Sequence, residues 1–282
     1  MSEYAVAVRD EVWSHGVRIE RRLAYGVAVR DGDAITARDA ADPFLVARVT
    51  DRMPALRACI REIGDARARL VLEAIREDGR EVESATITIA IDGISIVTKP
   101  ETLSEDVAHL RALLALPRGG SPPWEGVDLV WMNGSASVLL HEAIGHATEH
   151  GHPDIEWPPW LRVEAPLSLR RATFRDVPLM RMTTLVASQH NAPFSTPGDA
   201  VEIHLLAGGA YEPLTELVTL HVAVATHRGT RLPPFTLTKT RRELASSLTG
   251  ACGEPTRYPG VICSREGQEL VVGSYAPVVV TR

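Results

Sequence analysis

Leu139-Leu140-His141-Glu142-Ala143-Ile144-Gly145-His146-Ala147-Thr148-Glu149-His150 is the stretch around which the rest of the 282-residue chain is organised. An apolar run leads into two histidines, and a glutamate follows the first directly. These are the ingredients of a helical metal-hydrolase site, where neutral imidazoles hold zinc and a carboxylate works on water. The spacing sets a condition on the backbone. In His-Glu-x-x-His the histidines are four apart and share one helix face. His141 and His146 are five apart, and at about 100° per residue an undistorted helix leaves them roughly 140° out of alignment. A single π-type turn, in which residues i and i+5 come nearly into line, removes the conflict, and such turns concentrate at functional sites. Gly145, just before the second histidine, is where the backbone deforms most easily.

Working outward, residues 127–132 read as a short apolar strand, Asn133-Gly134 as a turn, and Ser135 as the cap of the histidine helix, which Gly151 and Pro153 then stop. Trp157-Pro158-Pro159-Trp160 fits no regular element. After Met180 the pattern is mainly β, with strand-like runs at 182–187, 200–207, 217–226, 234–238 and 270–280 and a short helix at 241–248. On the other side, Pro117-Arg118-Gly119-Gly120-Ser121-Pro122-Pro123 is the best linker in the chain, five of its seven residues being Pro or Gly. It divides the sequence into 1–118 and 124–282.

The first part reads as strands at 4–8, 17–23 and 26–30 with a turn at Asp31-Gly32-Asp33. A helix is expected over 51–77, with Leu56, Cys59, Ile60, Ile63, Leu70 and Leu72 as its buried stripe. Residues 85–97 suit strands broken by a hairpin turn at Asp92-Gly93, and a helix from Ser104 to Leu116, capped by Ser104, follows. The predicted class is α+β: an N-terminal sheet-plus-helix domain, then a β-rich C-terminal domain carrying the histidine helix.

Composition narrows the function. Hydrophobic content of 45%, charged content of 23% and mean hydropathy of -0.02 describe an ordinary soluble protein. No run approaches the ~20 apolar residues of a membrane span, and the N-terminus, with Glu3 and Arg9-Asp10-Glu11, has no signal-peptide core, so the expected location is the cytoplasm. A net charge of -6 argues against a nucleic-acid surface. Three cysteines, Cys59, Cys252 and Cys263, cannot all pair; Cys59 is expected in the core. Lysine occurs only at Lys99 and Lys239, neither in a catalytic motif, and Ser135 and Ser137 form no Gly-x-Ser-x-Gly elbow.

The string His141-Glu142-Ala143-Ile144-Gly145-His146, with Glu149 three further on, resembles the His-Glu-x-x-x-His signature of the TldD/PmbA family, also called modulators of DNA gyrase. Gly260-Val261-Ile262-Cys263-Ser264-Arg265-Glu266-Gly267-Gln268, followed by Val271-Val272-Gly273 and Pro277, is similar to that family's Gly-x-x-Cys-Gly-Lys-Asp-Gly-Gln segment. Weaker echoes are Arg181-Met182-Thr183 and Gly26-Val27-Ala28-Val29-Arg30. Departures are Ser264 in place of glycine, Leu270-Val271-Val272 in place of the Val-Pro-Val that follows it in the family, and a shorter stretch between the histidine helix and Arg181, so the chain resembles a shortened TldD-like member.

The resemblance implies a zinc metallopeptidase that cuts short or unfolded polypeptides. His141, His146 and Cys263 would be the zinc ligands, and Glu142 the base. Two histidines and a thiolate leave zinc a net charge of about +1 and a position open for water. Family members work as dimers, so a homodimer or a heterodimer with a metal-free relative is expected. His150 and His152 are the rival ligands and Cys252 the rival thiolate; His190, His204, His221 and His227 carry no motif. Two other readings stay open: an inactive scaffold or partner subunit, and a metal-dependent amidase acting on a small molecule.

Overall fold

The computed structural model describes residues 2–31, 34–38, 40–64, 66–77, 80–121, 126–149, 156–158, 161–163, 167–172, 178–184, 187–189, 197–265 and 268–282; within 161–189 and 260–275 the description is of the backbone alone. The class is α+β. Two compact units emerge, one chiefly residues 1–109, the other chiefly 110–167, 182–263 and 269–282.

The first unit is built on β1 (Ser2–Ser14), β2 (Val17–Asp31), β3 (Ala34–Arg38), β4 (Arg67–Glu77), β5 (Arg80–Ile91) and β6 (Ile94–Thr98). They form one antiparallel sheet in the order β3-β2-β1-β4-β5-β6. The predicted hairpin at Asp92-Gly93 joins β5 to β6. Two helices, α1 (Pro43–Asp51) and α2 (Met53–Ile63), pack on the sheet and bury Leu45, Val49, Met53, Leu56, Ile60 and Ile63. Each fully buried aliphatic side chain of this kind stabilises the fold by about 2 kcal/mol relative to exposure.

The single helix expected over 51–77 is therefore wrong in its second half. Arg67–Glu77 is a strand, and Ala68, Leu70, Leu72 and Ala74 are buried because they share one face of it at a period of two. Its Ala, Leu, Arg and Glu are helix formers, which hid that alternation. α1 is not among the expected helices, although Asp42-Pro43 is a start signal: the Asp42 carboxylate accepts from Phe44 N (3.0 Å) and Leu45 N (3.2 Å), and Pro43 opens the first turn. Cys59 is half-buried, not core. α3 (Leu103–Leu114) follows a 3₁₀ turn at Pro100–Thr102, so Ser104 lies inside the helix and does not cap it.

The second unit centres on β7 (Asp128–Trp131), whose Val130 and Trp131 are each 1% exposed. After the histidine segment come the short strands β8 (Leu161–Val163), β9 (Leu167–Ala172), β10 (Pro178–Thr184) and β11 (Ala187–Gln189), which pair as β8 with β11 and β9 with β10; most of β9 and the first part of β10 group with the first unit. The main sheet then takes β12 (Ala200–Glu212), β13 (Leu217–His227), β14 (Thr230–Arg231), β15 (Phe235–Thr240), β16 (Leu248–Arg265) and β17 (Gln268–Thr281), in the order β14-β13-β12-β7-β17-β16 with β15 on β13. β7 runs parallel to β12 and antiparallel to β17, and Trp131 Nε1 donates to Thr281 Oγ1 over 3.1 Å. The expected helix near 241–248 is α6 (Arg241–Ser247). Pro117 and Gly119, in the expected linker, pair with Arg231 through Arg231 N to Pro117 O (2.7 Å) and Gly119 N to Arg231 O (2.7 Å). No described helix is long and apolar enough to cross a membrane.

Candidate metal centre

The parallel strand β7 delivers the chain to a sharp reversal at Asn133 (φ 53°) and Gly134 (φ 76°). Gly134 is required twice over. Its backbone is left-handed, and a Cβ there would sit 2.6 Å from Thr256 O and 2.8 Å from Tyr258 N of β16. Gly134, not Ser135, is the N-cap of α4 (Ser135–Leu140), and it has no side chain to cap with. Ser135 Oγ instead donates to Ile203 O over 2.9 Å and ties the start of the helix to β12. All six residues of α4 are buried, in keeping with the apolar run that precedes the histidines.

From His141 to Gly145 the helix widens into a π turn, in which His146 N–H donates to His141 O, and α5 (His146–Glu149) resumes the α geometry. This is the distortion that the five-residue spacing demanded. His141 and His146 are brought together with their ring centroids 4.7 Å apart at 69°. His146 Nε2 is 3.5 Å from Glu142 Oε2, and one donor atom from each of His141, Glu142 and His146 lies within 4.8 Å of the others. His141 is 2% exposed and Glu142 is 4% exposed. Two imidazoles and a carboxylate, gathered this closely and shielded from bulk water, are a donor set that fits a divalent metal.

Two residues that sequence reading passed over shape this centre. Gly209 of β12 gives the Glu142 carboxylate its room: a Cβ at 209 would lie 2.6 Å from Glu142 Cγ and 2.8 Å from its Oε1. The Gly208-Gly209 pair within a strand was the available signal, since glycine there marks close approach of another group. Arg241, 1% exposed, donates from Nε to Ala143 O inside the π turn over 2.7 Å. Its guanidinium also hydrogen-bonds Tyr211; burial raises the Tyr211 pKa above its ordinary value, against the pull of Arg241. No motif marks Arg241.

Nearby, His204 is 7% exposed and makes hydrogen bonds with Asn133 Nδ2 (3.1 Å) and Thr226 Oγ1 (2.9 Å), so it is a satisfied buried histidine at the foot of the helix. His221 contacts Thr236, and His227 contacts Asp199. Tyr258, fully buried in β16, donates to Leu206 O (3.1 Å) and accepts from Leu206 N (2.7 Å) where β12 is irregular, and burial drives its pKa upward. Cys263 lies on β16, but its side chain falls outside the description, as do His150, His152 and His190. Cys252 is a half-buried thiol on the same strand.

No family model and no curated protein matches the chain by sequence. Among solved structures, TldE from Thermococcus kodakarensis is similar over 100% of this chain and 94% of that one, with a TM-score of 0.54 at 9% identity. The chain has the fold of TldE. A protein from Thermotoga maritima described as a candidate modulator of a DNA gyrase is similar over 99% of this chain and 94% of its own, with a TM-score of 0.50 at 8% identity. The TldE fold thus spans the chain from end to end, in keeping with motifs at both of its ends, whereas at these identities the chemistry has to be argued from the side chains.

Proposed function

We propose that the chain is a TldD-like metallopeptidase that hydrolyses peptide bonds in short or unfolded polypeptides with the help of zinc. The observation that carries this reading is the π turn that brings His141 and His146 together beside Glu142. His141 and His146 would hold the metal, with Cys263 as third ligand. In support of Cys263, β16, the strand that bears it, passes against Gly134 at the start of the histidine helix. A thiolate would leave one position open, as catalytic sites require.

Zinc, when bound, supplies Lewis acidity that polarises the scissile carbonyl and makes water acidic near neutral pH. Glu142 takes the proton from the attacking water and returns it to the leaving amine. Gly209 keeps the Glu142 carboxylate free to do this, and burial by α4 and β12 keeps bulk water from competing. An extended substrate could add to a sheet edge through backbone hydrogen bonds that are indifferent to its sequence, which suits unfolded chains as substrates. On this reading the chain works as a dimer, with a second copy or a metal-free relative.

Glu142 also meets the distance test for a ligand: its 3.5 Å contact with His146 is close to the ~3.4 Å between neighbouring donors of a tetrahedral zinc site. Zinc analysis together with cleavage of an unstructured peptide library decides. Cys263→Ala should lose zinc and activity together, while Cys252→Ala and His150→Ala keep both. Full zinc occupancy and turnover in Cys263→Ala would remove Cys263 from the site and favour Glu142 as ligand. Cleavage confined to small amides would redirect the activity to an amidase.

A further inference from the structure

A π turn is rare because it competes poorly with the regular α register, so one that persists needs support from outside the helix. Here the support comes from 98 residues away, where Arg241 Nε donates to Ala143 O at 2.7 Å. Burying a guanidinium is costly unless its donors are used, yet Arg241 is 1% exposed. Its root is also fixed. Thr240 and Glu243 form a reciprocal capping box at the start of α6, with Thr240 N donating to Glu243 Oε2 (2.7 Å) and Glu243 N to Thr240 Oγ1 (3.2 Å). Arg241 N itself donates to Glu216 O over 3.0 Å. The side chain thus reaches the turn from an anchored base, and its tip joins Ala143 to Tyr211 of β12.

We propose that Arg241 is the positioning residue of the centre: by donating to Ala143 O its guanidinium holds the π turn in the five-residue register that brings His141 and His146 onto one ion. If the turn relaxed to the α register, His146 would swing away from His141 and the Ala143 carbonyl would leave its donor. A planar fork serves better than an ammonium here, because it satisfies two acceptors at fixed angles. The role of the turn in metal binding rests on the reading under Proposed function, but the support of the turn by Arg241 does not.

Hydrogen exchange on the metal-free full chain reads the turn directly. In Arg241→Met, amides of residues 141–147 should exchange about 10- to 100-fold faster, as expected when a charge-assisted hydrogen bond opposing local opening is lost. Amides of β4 and β5 should keep their rates. Leu244→Ala, also in α6 and buried, controls for general loosening of that helix and should leave 141–147 unchanged. Arg241→Lys should fall between wild type and Arg241→Met, and it keeps the test open if the methionine variant does not fold. As a second readout, zinc affinity by chelator competition should weaken about tenfold or more in Arg241→Met but not in Leu244→Ala. Unchanged exchange at 141–147 in both Arg241 variants, or equal acceleration by Leu244→Ala, overturns the proposal. A wild-type chain that binds no zinc, in which Arg241→Met still frees the turn, upholds the support by Arg241 and sinks the metal reading instead.

Discussion

Two buried glutamates, one in each unit, show what burial of a carboxylate can be for. Glu11 of β1 is 0% exposed and is met by Arg57 (Nε to Oε2 3.0 Å), Arg18 (3.2 Å) and Arg9 (3.4 Å). Burial alone would raise its pKa, but the Arg57 hydrogen bond and the charges of Arg57, Arg18 and Arg9 outweigh that and hold it below the ordinary carboxylate value. Glu142, at 4% exposed, has imidazoles for neighbours and a glycine where a side chain would crowd it. Guanidinium groups keep their protons at every accessible pH, so Glu11 is locked as a structural anion. Imidazoles give up protons near neutrality or bind metals, so Glu142 sits among groups able to take part in chemistry.

The largest effect expected from this contrast is at Glu142. Glu142→Gln should keep zinc and lower turnover by about 10² to 10⁴, the usual range for removing a general base; loss of zinc along with turnover would make Glu142 a ligand. Glu11→Ala should do the opposite. Its three arginines lose a shared buried partner, so urea unfolding of the first unit should show a loss of about 3 kcal/mol, with zinc content unchanged. A fall in zinc content would mean that the two units depend on each other more than the contrast allows.

A smaller effect is expected at Gly209, where alanine should push the Glu142 carboxylate aside and cost about tenfold in turnover with zinc retained. The smallest concerns pH. Because the folded pKa of Glu11 is depressed, its contribution to stability is fully present above the unfolded value of about 4.5 and is lost as pH falls from there through the folded pKa. Acid titration of unfolding should therefore be steeper below about pH 4.5 in wild type than in Glu11→Ala. Equal slopes would assign acid sensitivity to other carboxylates.

Much of this was legible locally. The π turn followed from a spacing of five, the β5–β6 hairpin from Asp92-Gly93, and α6 from its short helical run. Local signals failed where tertiary contacts decided. Arg67–Glu77 is made of helix formers yet pairs as a strand between β1 and β5. Gly209 and Arg241 act on a helix 67 and 98 residues earlier, respectively, and no pattern within either neighbourhood reports a partner so remote. Ser135 has the residue type and position of a local cap, but its hydroxyl goes to Ile203 O on another strand.

The central claim is that a helix with histidines five apart is bent so that both serve one ion. Zinc content of the purified full chain, measured beside His141→Ala and His146→Ala, tests it most directly. The account predicts about one zinc per chain in wild type and loss from both variants, since a catalytic site of three protein ligands does not survive removal of a histidine. A wild-type chain without zinc, or variants that both retain it, would contradict the claim.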